Sequence, residues 1–403
     1  MTEKIVLAYS GGLDTSVAVR WLQEKYGADV VTLTVDLGQG IDLKKVANRS
    51  RLMGSVSHYD INGTDEFAED YVYPSIAANG LYEDKYPLST ALGRPLIAEE
   101  LVKIAEMEDA STVAHGCTGK GNDQVRFDVT VRALNPKLRV VAPIREWNLT
   151  RDQEVKYAEE HGVRFEPEKA GFSIDQNLWG RSIEGGVLED PNFEPPPEIF
   201  QWVRPPDETP DKPGYVEIDF DEGVPAALNG HEMKAANLIA SMNEIAGLHG
   251  VGVIDHVEDR LVGIKSREVY ECPAALCLIE AHRDLEKLVL TRHELSFKRI
   301  VEQQWAWLVY SGLWVEPLRH ALQSFIEKTQ ERVTGTVRLK LYKGSFRVVG
   351  RESPSSIYDA ALATYGAGST FDQKKAQNFI DLWGLPSRIA AAKRAKVEAE
   401  ALA

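Results

Sequence analysis

The string Ser10-Gly11-Gly12-Leu13-Asp14-Thr15-Ser16 constrains this chain most, because of what flanks it. Residues 5–9 form a short apolar run with strand character, and residues 14–25 have helical spacing, with Val17, Val19, Trp21 and Leu22 among the apolar positions and Gly27 as the stop. A strand that enters a Gly turn and leaves as a helix aims unpaired backbone N–H groups and a positive dipole end at the turn. The two glycines let a ligand approach without Cβ interference, and Ser10, Thr15 and Ser16 add hydroxyl donors. Together these make an oxyanion cradle. It is not a GxxxxGK[ST] loop; Gly116-Cys117-Thr118-Gly119-Lys120 has the wrong spacing for one, and the chain holds no GxGxxG.

The units that follow alternate. Residues 30–35 read as a strand, 42–53 as a helix ended by Gly54, 89–107 as a longer helix, 111–115 as a strand, 122–134 as a helix closed by Asn135-Pro136, and 138–142 as a strand. Thr150 and Gln153 form a capping box for a helix to about residue 161. Alternation of this kind predicts an α/β domain over 1–165, with a parallel sheet covered on both faces. The pattern then changes. Eight prolines lie between Asp190 and Gly214, so 190–214 is expected to be an extended connector and not a packed element. Strands are expected at 215–220 and within 251–270, a hairpin turn at Asn229-Gly230, a helix at 233–248, a helical region over 274–331 broken near Gly312, and a hairpin around Lys343-Gly344. That makes 166–365 an α+β domain. The segment 366–403, Ala-rich and charged from Ser387 onward, has no core of its own and is expected to be a solvated helix or an arm docked on a neighbouring subunit.

The net charge of −15 and the lack of any Lys/Arg block argue against a nucleic acid partner. A phosphate site in such a chain must be locally positive, through Mg²⁺, Lys, Arg and backbone N–H groups. Apolar runs fall short of the ~20 residues of a membrane span, and the start Met1-Thr2-Glu3-Lys4 has no signal-peptide pattern. Cys117, Cys272 and Cys277 form no CxxC pair, so no metal site is expected, and reduced, packed thiols fit a cytoplasmic protein.

A second dense stretch, His115-Gly116-Cys117-Thr118-Gly119-Lys120-Gly121-Asn122-Asp123-Gln124-Val125-Arg126-Phe127, also leaves a strand and opens a helix, which places it on the same sheet edge as the cradle. Helix capping needs one such polar residue, not six. The set suits amino acid substrates: Thr118, Asn122 and an Arg126 fork for a carboxylate, Asp123 for an α-amino group. Arg126 is four residues after Asn122, on one helix face.

These two stretches, with LYEDKYPLSTALGRPLIA between them and FSIDQNLWGRSIEGG, HGVGVIDHVEDR, KSREVYE and GRESP after them, resemble the argininosuccinate synthase family from about residue 4 to about 383. The resemblance implies a nucleotide-binding domain of the ATP-pyrophosphatase (adenine nucleotide α-hydrolase-like) type, an α+β synthetase domain and a C-terminal helical tail. It implies a two-step ligation: the ureido oxygen of citrulline attacks the α-phosphorus of ATP, pyrophosphate leaves, and aspartate then displaces AMP to give argininosuccinate. It implies ATP as co-substrate with Mg²⁺, a homotetramer, and no membrane or nucleic acid partner. Carried over by position, Ala8, Tyr9, Ser10, Gly11, Gly12, Leu13, Asp14, Thr15, Ser16, Val35 and Gly116 match the ATP site. Thr118, Asn122 and Asp123 match the aspartate site, and Tyr86, Thr90, Asn122, Arg126, Ser173, Ser182, Glu258 and Tyr270 the citrulline site. Asp14, Asp123 and Arg126 are the candidate catalytic residues. Asp14 suits either orienting a loop donor or helping to hold Mg²⁺, and His115 either proton transfer or a helix corner. Val35, Ala91 and Ile183 stand where relatives carry a small residue, a serine and an aromatic, so Thr90 is the nearest hydroxyl to the displaced serine position. Two other readings compete: a different adenylating enzyme, such as a tRNA-modifying thiolase or ligase, and a non-catalytic ATP-binding regulator.

Overall fold

The structure, a computed structural model, describes residues 3–147, 149, 151–163 and 171–401. β1 (Lys4–Ala8) lies at the centre of a five-stranded parallel sheet with β2 (Asp29–Asp36), β3 (Ser57–Asn62), β4 (Thr112–Ala114) and β5 (Arg139–Val141), in the order β3-β2-β1-β4-β5. Alternate residues of β1 serve two cores, as strand geometry requires: Ile5 and Leu7 pack with Val17 and Leu22 of the helix Leu13–Tyr26, whereas Val6 and Ala8 pack with Leu92 and Leu96 of the helix Ser89–Met107. Helices therefore cover both faces. The chain runs outward from β1 in one direction to β2 and β3, and in the other to β4 and β5. The turns that leave β1 and β4 therefore lie side by side at the carboxyl edge, where ligands bind in such sheets.

Two antiparallel sheets follow. One has the order β11-β12-β7-β6 and is built from β6 (Ser173–Asn177), β7 (Gly180–Glu184), β11 (Val253–Asp259) and β12 (Lys265–Glu271). The other has the order β10-β9-β8-β13-β14, built from β8 (Gly214–Asp221), β9 (Val224–Leu228), β10 (His231–Glu232), β13 (Gly335–Tyr342) and β14 (Ser345–Glu352). The chain forms two compact units, Met1–Ser356 and Ile357–Ala403. In the second, the helices Lys374–Trp383 and Leu385–Ala401 bury no residue, and Phe379, Ile380, Leu382 and Trp383 are all exposed.

Most expected elements are present with shifts of a residue or two. The helix Ser89–Met107 matches its expected bounds, Gly27 caps the first helix at φ 62°, and Lys343 and Gly344, at φ 47° and 82°, turn the last hairpin. Several findings differ, among them the unexpected helices Thr64–Glu66, Phe67–Val72 and Tyr73–Ala77. β3, β6 and β7 were not predicted; their sequences SHYDIN, SIDQN and GRSIE lack the apolar runs that reveal a strand. The helical region 274–331 breaks twice, at Gly312 and also at Leu290-Thr291, where Thr291 and Glu294 form a capping box. The connector 190–214 is partly packed: Ile199 and Val203 are buried, and Gln201, Trp202 and Val203 donate backbone N–H groups to Glu271. Prolines prevented regular structure there, but a buried carboxylate supplied the acceptors. The capping-box residue Thr150 and the boundary near 165 lie outside the described residues.

Candidate active site

The cradle after β1 is pre-ordered by its own side chains. The Gly12 N–H donates to Ser10 Oγ (3.2 Å), Ser10 Oγ lies 3.1 Å from Thr15 Oγ1, and Thr15 Oγ1 donates to the Gly12 carbonyl (3.3 Å). Ser10 and Gly12 are exposed to an arriving ligand, whereas Tyr9 and Ser16 are buried and hydrogen-bonded to each other at 2.8 Å. Those two therefore fix the loop to its helix. Gly11 has φ 78°, a region where L side chains are strained. Arg49, from the helix Leu43–Leu52, donates to the Gly11 carbonyl and brings a cation to the cradle that sequence reading did not single out. Val35 is buried near the end of β2, and Asp14 is half-buried in the first helical turn.

The turn after β4 touches this loop. A Cβ on Gly116 would stand 2.7 Å from Thr15 Cγ2, so only glycine permits the approach. His115 is buried beside it; its Nδ1 accepts from the Cys117 N–H (3.2 Å) and its Nε2 lies 2.8 Å from Asp128 Oδ1. Both nitrogens are engaged, and of its two possible roles the geometry gives it the helix corner. Thr118, Gly119 and Lys120 are exposed.

The remaining predicted residues meet on one face of the four-stranded sheet. Pairing of Tyr270 with Ser182 and Ile254, of Ser182 with Asp175, and of Glu184 with Ser173 puts Glu258, His256, Glu268, Tyr270, Ser182, Asp175 and Ser173 on the same side. The other side carries Val269, Ile183 and the buried pair Arg181–Glu271. Tyr86 stacks on Tyr270 with ring centroids 4.6 Å apart, and its hydroxyl is 2.7 Å from Thr90 Oγ1. Ser182 Oγ donates to the Asp175 carbonyl at 3.3 Å. Ser173 is the outlying member, exposed at the start of β6.

Asn122 does not cap its helix. Its amide instead donates to the Tyr310 hydroxyl (2.8 Å) and its carbonyl accepts from the Leu261 N–H (2.9 Å). Tyr310 donates to Glu258 Oε1 at 2.6 Å, and the Tyr310 carbonyl accepts from Arg126 Nε and Nη2 at 3.1 and 3.0 Å. Arg126 Nη1 then reaches Asp123 Oδ1 at 2.7 Å. Arg94 pairs with the same carboxylate (Nε to Oδ2, 2.9 Å) and with Asp175. Gly312 makes the helix contact possible, since a Cβ there would lie 2.8 Å from Arg126 Cα.

Charge is sorted across this network. Burial alone would push the Asp123 carboxyl up, but the Arg94 and Arg126 guanidiniums outweigh it and hold it below the usual carboxylate range. Burial would pull Arg126 down, and Asp123 reverses that. At the opposite end the carboxylates Glu258, Glu268 and Glu184 gather, with Arg260 between the latter two. Burial raises all three thiols, Cys117 to about 12, so none is poised for sulphur chemistry. Among the described residues no group of three or more His, Cys, Asp or Glu is placed to hold a metal, and no helix is long and apolar enough to cross a membrane.

Sequence reading missed Arg94, Asp175, Glu268 and Tyr310. Arg94 is one helical turn from Thr90, and Glu268 two strand positions from Tyr270, so periodicity within the quoted strings pointed at both. Tyr310 gave no such sign; it reads as a core aromatic.

A glycine cradle at the switch point of a parallel sheet, linked by hydrogen bonds to a cluster of opposed carboxylates and guanidiniums, is what a nucleotide-dependent ligase of amino acids requires. Residues 4–164 match the model described as arginosuccinate synthase N-terminal HUP domain, and residues 172–390 match arginosuccinate synthase C-terminal domain. Argininosuccinate synthase of Pyrococcus furiosus is 57% identical over 387 residues, covering 96% of this chain and 94% of that one. The enzyme of that name from Dictyoglomus turgidum is 55% identical over 98% of this chain and 99% of its own, and that of Pyrobaculum aerophilum 54% identical over 97% and 99%. The chain belongs to the argininosuccinate synthase family, a family of carbon–nitrogen ligases.

Proposed function

We propose that this protein joins citrulline to aspartate at the expense of ATP, releasing AMP and pyrophosphate through a citrullyl-AMP intermediate, as a step of arginine biosynthesis in the cytoplasm. One observation carries the reading. Asn122 and Arg126 stem from the turn that touches the cradle, and both bond to the Tyr310 that also holds Glu258. Nucleotide side and amino acid side are thus one continuous site.

The cradle, with Ala8, Tyr9, Ser10, Gly11, Gly12, Leu13, Asp14, Thr15 and Ser16, holds the β,γ-pyrophosphate as a leaving group, flanked by Val35 and Gly116. Backbone N–H groups at the helix start stabilise the charge that develops on it. Mg²⁺ arrives on the phosphates, and Asp14 is the loop carboxylate beside it. Citrulline lies along the sheet face, its ammonium toward Glu258 and Tyr270 and its carboxylate toward Arg126, with Tyr86, Thr90, Ser173 and Ser182 lining it. Aspartate takes Thr118, Asn122 and Asp123. Positioning supplies much of the rate. With His115 engaged on both nitrogens, an oxygen of the leaving phosphate is the remaining acceptor for the aspartate ammonium proton. We assign 1–165 to nucleotide binding, 166–365 to the synthetase part and 366–403 to a tetramer-forming arm, which carries the exposed apolar residues Ile380, Leu382 and Ile389.

With citrulline, aspartate and Mg²⁺-ATP the protein should release AMP and pyrophosphate in equal amounts. ADP and phosphate instead, or turnover without citrulline, refutes the reading. Oxygen label in the ureido group should end in AMP.

A further inference from the structure

The Tyr270 hydroxyl stands between two carboxylates, 2.6 Å from Glu258 Oε2 and 2.8 Å from Glu268 Oε2. A phenol has one hydrogen and can donate to one of them. The other oxygen would then face a phenol lone pair as an anion, unless it carries a proton of its own. Glu258 has the more phenol contacts of the two, because its second oxygen also accepts from Tyr310 at 2.6 Å.

The surroundings of Glu268 point the same way. On β11 it faces His256 in register and Glu258 diagonally; His256 Nε2 is itself 3.1 Å from Glu83 Oε2. On β7 it faces Glu184, one residue beyond the Val269–Ile183 pair. Among the described residues the guanidinium on it is that of Arg260, 3.2 Å from Glu268 Oε1, which also binds Glu184 and donates to the Lys120 carbonyl at 3.4 Å. Glu184 and Glu268 thus share Arg260, with Glu258 as a third carboxylate nearby. Burial, with Glu258 and Glu184 adding to it, pushes Glu268 up to about 8.

We propose that Glu268 is a second carboxylate of the ammonium subsite, protonated and donating to the Tyr270 oxygen in the free enzyme, and that it releases this proton to solvent when the substrate ammonium enters. This rests on the reading that Glu258 receives the citrulline α-amino group. No covalent bond changes: the ligand brings one positive charge and one proton leaves from Glu268. Glu268 is then a positioning residue that makes affinity for a cationic amino group depend on pH.

The test is calorimetric titration of the whole enzyme with citrulline in buffers of different ionisation enthalpy. At about pH 6.5 close to one proton should be released per citrulline, falling away above about pH 8.5, and affinity should rise about tenfold per unit from pH 6 to 7. The deamino analogue 5-ureidopentanoate should release none. In Glu268→Gln the release should vanish and the slope flatten. Absence of proton release from the unmodified enzyme at pH 6.5, or an unchanged slope in Glu268→Gln, overturns the proposal; the first needs no variant and stands even if Glu268→Gln folds poorly. Citrulline binding indifferent to Glu258→Gln overturns the site reading and the proposal with it. Loss of binding in Glu258→Gln beside an unchanged slope in Glu268→Gln overturns the proposal alone.

Discussion

Glu271 should be among the most costly side chains to remove, although it touches no substrate. It pairs in register with Arg181 across β12 and β7, and the two are 0% and 1% exposed. Oε2 accepts from Arg181 Nη1 at 2.6 Å, and Oε1 accepts from the backbone of Gln201, Trp202 and Val203 at 2.9, 2.7 and 2.9 Å. Truncation to Ala strands a buried guanidinium, which costs about 3–5 kcal/mol. Three amide N–H groups lose their acceptor as well, at about 1–3 kcal/mol for each that stays buried. Some of that is recovered if the connector opens to water, so the expected loss is about 4–6 kcal/mol. Arg181→Met removes the charge but leaves the carboxylate with its three amide donors and should cost less. The double variant Arg181→Met/Glu271→Leu should be more stable than Glu271→Ala, because no unpaired charge remains. Urea unfolding at fixed protomer concentration measures all three. A loss below about 1 kcal/mol for Glu271→Ala, or a double variant no better than that single one, would refute the reasoning.

Gly116→Ala should raise the KM for ATP about tenfold or more with native circular dichroism, since its Cβ would collide with Thr15 at 2.7 Å; an unchanged KM means that the two turns need not touch. Asp123→Ala should raise the KM for aspartate far more than that for citrulline, and equal losses would show that the pocket is divided wrongly. The Asp123 carboxyl is held below its ordinary range, so its contribution to stability is complete above about pH 4 and fades as pH falls through the folded value. Acid unfolding of Asp123→Asn should accordingly converge with that of the unmodified protein at low pH, and parallel curves would contradict this. Deletion of residues 357–403 should leave species smaller than a tetramer in sedimentation; an intact assembly would take the arm out of that role.

The nucleotide half was legible because its fold and its site write the same signals. β1 is an apolar run, and the glycines that follow it are those of the proposed phosphate cradle. The amino acid half hid its strands for a physical reason. β6 and β7 carry polar residues such as Asp175 and Ser182 on the side away from Ile183, at positions where a core strand would carry Val or Ile. Family strings located Glu258 and Tyr270 but gave no geometry. That Arg126 is tied to Tyr310, or that Arg94 and Arg126 share Asp123, depends on contacts between segments up to 184 residues apart, which no local pattern encodes.

Arg181 and Ser182 are chain neighbours, as are Tyr270 and Glu271, yet in each pair one faces the pocket and the other the buried clamp. Loss or gain of a single residue within β7 or β12 would exchange these duties, driving a buried ion pair into the substrate space and a phenol into the core. Such strands tolerate substitution far more readily than insertion or deletion. The exposed turn at Thr118, Gly119 and Lys120 carries no such two-sided duty. Variation in length should therefore collect in turns, while the span from Ser173 to Glu184 and that from Lys265 to Glu271 keep their residue counts even as the letters change.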